Sequence, residues 1–214
     1  MISKEINDYL ESLIKPRNEL ISEIEQYASI HDVPIMELVG IETMLQLLNV
    51  QKPKKIVEIG TAIGYSAIRM AQQLPDSQIV TIERDPERYE KALEFIERAG
   101  VSDQIKVIFG DALEVVQEIE KLGPFDVLFI DAAKGQYQRF FEHYGALVNE
   151  QGMILSDNVL FKGLVANQNA EPKRLKTLVK KLQQYNEWIT AHPEYETTIL
   201  PIGDGIAVSV KRKK

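Results

Sequence analysis

Short apolar segments alternate with segments of helical periodicity through most of the chain, and few folds accommodate this alternation. Five of the apolar segments have the length and composition of buried strands. They cover residues 55–59, 78–83, 104–109, 125–131 and 153–157. Strands separated by helices predict a parallel sheet with right-handed crossovers and helices on both faces. The sequence therefore predicts an α/β fold.

An acidic residue lies at or near the end of each predicted strand. These residues are Glu58, Glu83, Asp111, Asp131 and Asp157. Because the carboxyl ends of parallel strands share one edge of a sheet, we expect the five side chains to converge on a single cleft. Unpaired carboxylates in such a cluster would repel one another. The pattern therefore indicates a site for a cation or a cationic ligand.

The first predicted strand leads into a loop with two glycines, Gly60 and Gly64, and then into a helix. Glycines let the backbone approach a ligand at the place where nucleotide cofactors bind in open α/β sheets. The spacing differs from the G-x-G-x-x-G dinucleotide fingerprint. Glu58, just before the loop, suits a cationic ligand better than a pyrophosphate. An ordinary strand-to-helix turn is the alternative.

The two ends of the chain differ from the alternating region. Residues 1–50 have the apolar periodicity of helices, with a break at 31–36 that is either a cover over the cofactor or a plain connector. A long helix is predicted over 172–192. The segments 196–200 and 206–211 then predict a closing hairpin.

Length and composition fit one domain with a substantial core. The chain has 214 residues, of which 44% are apolar and 27% are charged. We therefore expect a single domain over residues 1–214, made of an N-terminal helical segment (1–50) and an α/β core (51–214).

The absence of cysteine excludes disulfides, a thiolate nucleophile and cysteine zinc sites. The first residues lack an apolar signal core, and no apolar run approaches the length that spans a membrane. We therefore expect a cytoplasmic protein without a membrane partner. The formal charge of -7 argues against indiscriminate binding to polyanions but leaves a local basic patch open.

Three of the acids have a spacing or neighbours that indicate particular ligands. Glu83 follows Gly60 by 23 residues, the spacing at which an acid accepts hydrogen bonds from a ribose diol, and this fits NAD and S-adenosylmethionine equally. Asp131, Asp157 and Asn158 offer hard oxygen ligands, which suit magnesium or calcium better than zinc. A helix-cap role for Asp157 or Asn158 is the alternative, and it leaves Asp131 unexplained.

Lys134 lies three residues after Asp131, where a turn can bring its amine over the same site. A partly buried lysine beside a metal can act as a general base. A solvated surface lysine is the alternative.

Three segments, 57–66, 131–134 and 157–160, together resemble the cation-dependent O-methyltransferases of the catechol and caffeoyl-CoA type. The resemblance spans nearly the whole chain. It implies the Rossmann-like fold of S-adenosylmethionine-dependent methyltransferases, with a mostly parallel seven-stranded sheet and a C-terminal antiparallel hairpin. It also implies a homodimer formed through the N-terminal helices.

The resemblance assigns roles to individual residues. Asp131, Asp157 and Asn158 match the ligands of Mg2+ or another divalent cation, and Lys134 matches the catalytic base beside Asp131. The residues that match the S-adenosylmethionine site are Met36, Glu58, Gly60, Gly64, Ser66, Glu83, Asp111, Ala112 and Asp131.

Within this family, four segments most resemble the bacterial enzymes that convert 5-hydroxyuridine to 5-methoxyuridine at the wobble position of tRNA. They are 13–17, 131–138, 161–166 and 171–174. The resemblance implies a tRNA anticodon loop as the substrate. A small catechol or phenylpropanoid is the alternative, although the catechol enzymes carry a carboxylate where this chain aligns Thr197 or Thr198.

Basic residues indicate where the phosphates of an RNA would bind. They are Lys15, Arg17, Lys162, Lys173 and Arg174. A solvated amphipathic helix is the alternative for the predicted helix over 172–192. A metabolite-binding protein without catalysis is a third class, but binding alone would not require Lys134.

Overall fold

Three helices form the N-terminal part of the computed structural model, which describes residues 3–161, 163–166 and 175–213. They are α1 (Lys4–Leu13), α2 (Glu19–Ile30) and α3 (Leu38–Gln51). Side-chain caps start the first two helices, because Ser3 accepts from the Ile6 N–H and Asn18 accepts from the Ile21 N–H. Helices α2 and α3 bury apolar side chains in the core, whereas α1 has no buried residue.

Seven strands form one sheet. They are β1 (Lys55–Ile59), β2 (Gln78–Glu83), β3 (Ile105–Phe109), β4 (Phe125–Ile130), β5 (Val148–Ser156), β6 (Tyr195–Leu200) and β7 (Ile206–Lys211). The strand order is β3-β2-β1-β4-β5-β7-β6, with β1 to β5 parallel and β7 antiparallel to both of its neighbours. The predicted α/β fold, with a mostly parallel seven-stranded sheet and a closing antiparallel hairpin, is confirmed.

Helices on both faces connect the strands. They are α4 (Tyr65–Gln73), α5 (Pro86–Arg98), α6 (Val116–Glu120), α7 (Tyr137–Gly145) and α8 (Lys176–Thr190). Alternate strand residues face opposite sides: Ile56 and Phe129 pack with α2 to α5, whereas Val57 and Leu128 pack with α6 to α8. In the part of the chain that the structure describes, no helix is long and apolar enough to cross a membrane.

Two element boundaries differ from the sequence prediction. The residues after the third strand predict a helix over 112–122, but the helix is only α6, because Asp111 Oδ1 accepts from the Leu113 N–H at 2.9 Å and a turn precedes it. Strand β5 begins at Val148, five residues before its predicted start. Val148 pairs with Phe125 across an irregular register, which an apolar pattern alone does not reveal.

The turn between β6 and β7 packs against the loop that follows β5. The N–H groups of Val159 and Leu160 donate to the carbonyl oxygens of Gly205 and Asp204 at 3.0 and 2.8 Å. A Cβ atom at Gly205, which has a φ of 90°, would lie 2.4 Å from Leu160 Cγ. The C-terminal hairpin therefore fixes the loop after β5.

We expect Gly205→Ala to lower the free energy of unfolding more than Gly100→Ala does. Both glycines have a positive φ, 90° and 68°, which costs about 1–2 kcal/mol for alanine. No described atom lies within 4 Å of the Cβ position at Gly100, whereas the overlap with Leu160 adds about 1–3 kcal/mol at Gly205. Urea denaturation of both variants measures the difference. If both variants lost the same free energy of unfolding, the loop after β5 would be able to shift away from the added methyl group without an energetic cost.

Candidate active site

A cavity of about 340 Å³ opens at the carboxyl edge of the sheet, where the strand order reverses between β1 and β4. Ligands of open α/β sheets bind at this reversal point. The predicted site residues that line the cavity are Gly60, Glu83, Asp111, Ala112, Asp131, Lys134 and Asn158. The lining also includes Arg84, Arg88, Gln136 and Phe140, which the sequence prediction missed. These residues reach the cavity through packing between loops and helices, and no motif marks them.

The loops after β1 and β4 touch through their backbones. The Asp131 N–H donates to the Ile59 carbonyl oxygen at 3.0 Å. A Cβ atom at Gly60, which has a φ of 102°, would lie 2.0 Å from the Asp131 carbonyl oxygen. Only glycine fits there, so this wall of the cavity is bare backbone. Gly64, with a φ of 86°, precedes α4 and lies outside the lining.

Glu58 lies behind the Gly60 loop and is fully buried. Its carboxyl group accepts hydrogen bonds from the hydroxyls of Ser66 and Thr81, the second at 2.5 Å. Burial raises the pKa of Glu58 to about 7, although the two hydrogen bonds oppose the shift. Neither Glu58 nor Ser66 lines the cavity. The pair joins β1 to the start of α4 and supports the loop from behind, so its link to a cofactor in this arrangement is indirect.

Glu83 is held at the cavity by backbone groups and is 7% exposed. Its Oε1 accepts from the N–H groups of Arg84 and Asp85 at 2.9 and 2.8 Å, and its Oε2 accepts from the Ala62 N–H at 2.8 Å. These bonds fix the orientation of the carboxylate at the end of β2. An acid in this place can accept hydrogen bonds from a ribose diol.

The segment at 31–36 reaches the cavity through Pro34 and not through Met36. Met36 is buried and packs in the apolar core. At the end of β3, Asp111 forms an ion pair with Arg84 at 3.4 Å and remains part of the lining. The predicted cofactor residues therefore divide into a group at the cavity and a group behind it.

Asp131, Asp157 and Asn158 come together at the ends of β4 and β5. The Asp157 N–H donates to the Ile130 carbonyl oxygen at 3.0 Å, which holds the two strand ends side by side. Asn158, with a φ of 57°, donates from Nδ2 to Asp157 Oδ2 at 2.9 Å. Burial and the nearby charge of Asp131 raise the pKa of Asp157. Burial also raises the pKa of Asp131 to about 6, against the opposing charge of Lys134.

This group of side chains fits a divalent cation. Asp131 and Asp157 share one neighbouring cation, Lys134, whose charge lowers the pKa of both carboxyl groups against the larger effect of burial. Carboxylate and amide oxygens are the ligands that Mg2+ and Ca2+ prefer. Within the described ranges, no three or more His, Cys, Asp or Glu side chains are grouped to hold a metal. The candidate metal site therefore consists of two carboxylates and one amide oxygen.

Lys134 begins a short 3-10 turn, Lys134–Gln136, just before α7. Its Nζ donates to Asn158 Oδ1 at 2.5 Å and lies 5.8 Å from the centroid of the Phe161 ring. The amine therefore lies beside the predicted metal ligands and at the cavity.

Two of the predicted RNA-binding residues, Lys15 and Arg17, lie away from this site. Arg17 forms a two-pronged ion pair with Glu25, from Nε at 2.9 Å and from Nη2 at 2.8 Å. Lys15 and Arg17 line a separate cavity with Gln72 and Gln73, the last residues of α4. Because α4 runs antiparallel to the strands, these residues lie toward the opposite edge of the sheet. The other three, Lys162, Lys173 and Arg174, lie outside the described residues.

The sheet order and the cavity at its reversal point are those expected of the S-adenosylmethionine-dependent methyltransferases, and this is the class to which the protein belongs. A family model described as O-methyltransferase matches residues 11–213. The chain therefore belongs to the O-methyltransferase family, as its sequence segments predict.

Individual relatives agree with the family assignment. The chain is 33% identical to a caffeoyl-CoA O-methyltransferase of Populus kitakamiensis, over 82% of this chain and 76% of that protein. It is 35% identical to a catechol O-methyltransferase of Niastella koreensis, over 78% of this chain and 77% of that protein. An O-methyltransferase from Bacillus cereus, solved in complex with SAH, is 28% identical, has a TM-score of 0.84 and covers 97% of both chains. The prediction of an S-adenosylmethionine-dependent O-methyltransferase of the caffeoyl-CoA and catechol type is confirmed.

We expect Glu58→Gln to remove a pH dependence from the stability of the protein. Because the folded state raises the pKa of Glu58 from 4.5 to about 7, folding favours the protonated form. The free energy of unfolding should therefore fall as the pH rises from 4.5 to about 7, by roughly 3 kcal/mol from this group. Urea denaturation of the wild type and the variant between about pH 4 and about pH 8 measures the difference. If the free energy of unfolding changed with pH in the same way in the wild type and the variant, the raised pKa of Glu58 would be contradicted.

Proposed function

We propose that the protein transfers a methyl group from S-adenosylmethionine to one of two adjacent oxygen atoms on a planar acceptor, assisted by a divalent cation such as Mg2+. The observation that supports this proposal is the convergence of Asp131, Asn158 and the Lys134 amine at the cofactor cavity, with the buried Asp157 bonded to Asn158 behind them. Mg2+ favours six ligands. Three protein oxygens therefore leave positions for a pair of acceptor oxygens.

When bound, the cofactor supplies the methyl group and the cation lowers the pKa of the acceptor hydroxyl. Asp131, Asp157 and Asn158 would hold the cation. Lys134, whose Nζ lies beside Asn158 Oδ1, takes the proton of the hydroxyl. The bare backbone at Gly60 lets the cofactor approach the sheet edge, and Glu83 orients it through the ribose hydroxyls. Contacts of this kind would align the methyl group with the attacking oxygen.

A small phenolic acceptor is the first candidate. Two relatives are named for caffeoyl-CoA and catechol, and both of these acceptors carry two neighbouring ring hydroxyls. Such a pair matches a metal site with two free positions. Thr197 and Thr198, which align with a carboxylate of the catechol enzymes, lie in β6 and do not line the cavity.

5-Hydroxyuridine in a tRNA anticodon loop is the second candidate. Its O4 and O5 atoms sit on neighbouring carbons, so the base can present the same oxygen pair as a catechol. Arg139 and Lys181 favour this candidate, because both are exposed beside Lys134, where a backbone phosphate can bind. Lys15 and Arg17 do not extend that surface within one chain.

Three further expectations stay predictions. They are a single domain over residues 1–214, a cytoplasmic location and a homodimer. The homodimer finds support in exposed apolar side chains of the N-terminal helices, because Tyr9 and Leu13 on α1 are each 63% exposed and Val50 on α3 is 76% exposed.

We expect Lys134→Met to lower kcat by at least about 100-fold, because the variant lacks the group that accepts the hydroxyl proton. The affinity for S-adenosylhomocysteine should change much less. Steady-state kinetics and calorimetric titration measure the two effects. Lys176→Met is the matched control, since Lys176 is exposed on α8. A Lys134→Met protein with the wild-type kcat would assign the base to another residue.

The acceptor and the metal are tested in one experiment, which measures methyl transfer from labelled S-adenosylmethionine into catechol and into tRNA that lacks 5-methoxyuridine. Methylated catechol would support the first candidate and 5-methoxyuridine the second. We expect transfer to stop on chelation and to return with Mg2+. Asp157→Ala should lose transfer, whereas Asp76→Ala, with a side chain 84% exposed, should keep it. Transfer that survives chelation would contradict the metal assignment.

A further inference from the structure

A second cavity, of about 260 Å³, adjoins the active-site cavity. Its lining residues are Lys134, Gly135, Gln136, Tyr137, Gln138, Arg139, Glu142, Lys181, Gln184 and Tyr185. Lys134 and Gln136 line both cavities. The two cavities therefore meet at Lys134, so a ligand with a hydroxyl at this residue lies next to the second cavity.

Positive charge dominates the wall of this second cavity. The Lys181 side chain runs along Gly135, with Nζ 3.5 Å from where a Cβ atom would lie. Arg139 donates from Nη1 to Gln136 Oε1 at 3.2 Å, a contact with a neutral group. Glu142 is the one carboxylate in the lining, and its Oε1 accepts from Gln138 Nε2 at 2.9 Å.

Neither Arg139 nor Lys181 forms an ion pair with another described residue. Apart from Lys134, the proposed base, two cations therefore stand against one carboxylate among the described residues of this cavity. The local excess is opposite in sign to the formal charge of the whole chain, which is -7. A positive patch inside a concave site attracts an anionic ligand from solution and orients it.

We infer that the second cavity is a subsite for an anionic oxygen group, a carboxylate or a phosphate, that the acceptor carries in addition to the hydroxyl that is methylated. Arg139 offers the planar fork that pairs with two oxygens of such a group, and Lys181 adds a point charge. This inference rests on the proposed function, because it places the acceptor hydroxyl at Lys134. It narrows the acceptor class to molecules with a negative charge beside the reacting ring.

Two kinds of molecule carry this chemistry. A carboxylated catechol presents a carboxylate, and a nucleotide presents a phosphate. The same two side chains would serve either group, since guanidinium and ammonium groups bind both. The two sources are separated by comparing each charged ligand with its neutral counterpart.

Equilibrium binding tests the inference without a requirement for turnover. The full chain, loaded with S-adenosylhomocysteine and Mg2+, is titrated calorimetrically with four ligands: catechol, 3,4-dihydroxybenzoate, 5-hydroxyuridine and 5-hydroxyuridine 5′-monophosphate. We expect at least one charged ligand to bind about fivefold or more tightly than its neutral counterpart, as one or two exposed charge pairs allow. Arg139→Gln and Lys181→Gln should each remove most of that preference and leave the neutral ligand unaffected.

Lys180→Gln is the matched control. Lys180 precedes Lys181 on α8, is also exposed, and does not line the cavity. The control should keep the full preference, and thermal unfolding of all three variants should match the wild type, because the replaced side chains are exposed.

The two ligand pairs identify the anionic group that is bound. Tighter binding of 3,4-dihydroxybenzoate than of catechol identifies a carboxylate. Tighter binding of 5-hydroxyuridine 5′-monophosphate than of 5-hydroxyuridine identifies a phosphate. The inference is overturned if neither charged ligand binds more tightly than its neutral counterpart, or if the preference survives in both Arg139→Gln and Lys181→Gln. Failure of methyl transfer would instead count against the proposed function, because the binding preference is measured without transfer.

Discussion

Backbone hydrogen bonds that extend the parallel ladder one residue beyond the strand ends hold the active site together. The N–H groups of Gly60, Asp131 and Asp157 donate to the carbonyl oxygens of Ile82, Ile59 and Ile130, each at 3.0 Å. Each bond ties the first residue of a loop to the neighbouring strand. Asp131 and Asp157 are thereby forced close together in a buried place, where their negative charges destabilise each other. A cation bound there, as we propose, would relieve that repulsion.

Carboxylates at equivalent strand ends have different partners, and the partners decide their roles. Glu58 is surrounded by hydroxyl donors and is closed off from the cavity, while Glu83 is oriented by three backbone N–H groups at its rim. Asp131 and Asp157 follow neighbouring strands, and burial together with the charge of Asp131 raises the pKa of Asp157. This pair, with Asn158, is the group that we propose to hold the cation.

The sequence predicted the sheet and the convergence of strand-end acids because both follow from local periodicity and from the geometry of parallel strands. It did not predict that Glu58 turns away from the cavity, because the direction of that side chain depends on Ser66 and Thr81 in other elements. The pairing of Arg17 with Glu25 was missed for the same reason. Arg139 and Lys181 lie 42 positions apart and meet only because α8 packs beside the turn before α7. Long-range packing of this kind leaves no mark in a single sequence.

The contact between the β6–β7 turn and the loop after β5 also affects the order in which parts of the protein can fold during synthesis. Strand β7 is the last of the seven strands to leave the ribosome, yet it is inserted between β5 and β6 rather than added at an edge. Until the turn before β7 is in place, the N–H groups of Val159 and Leu160 lack the carbonyl oxygens of Gly205 and Asp204, and the loop that carries Asn158 lacks this anchor. The proposed metal site therefore depends on a contact that can form only after the last of the described strands has paired.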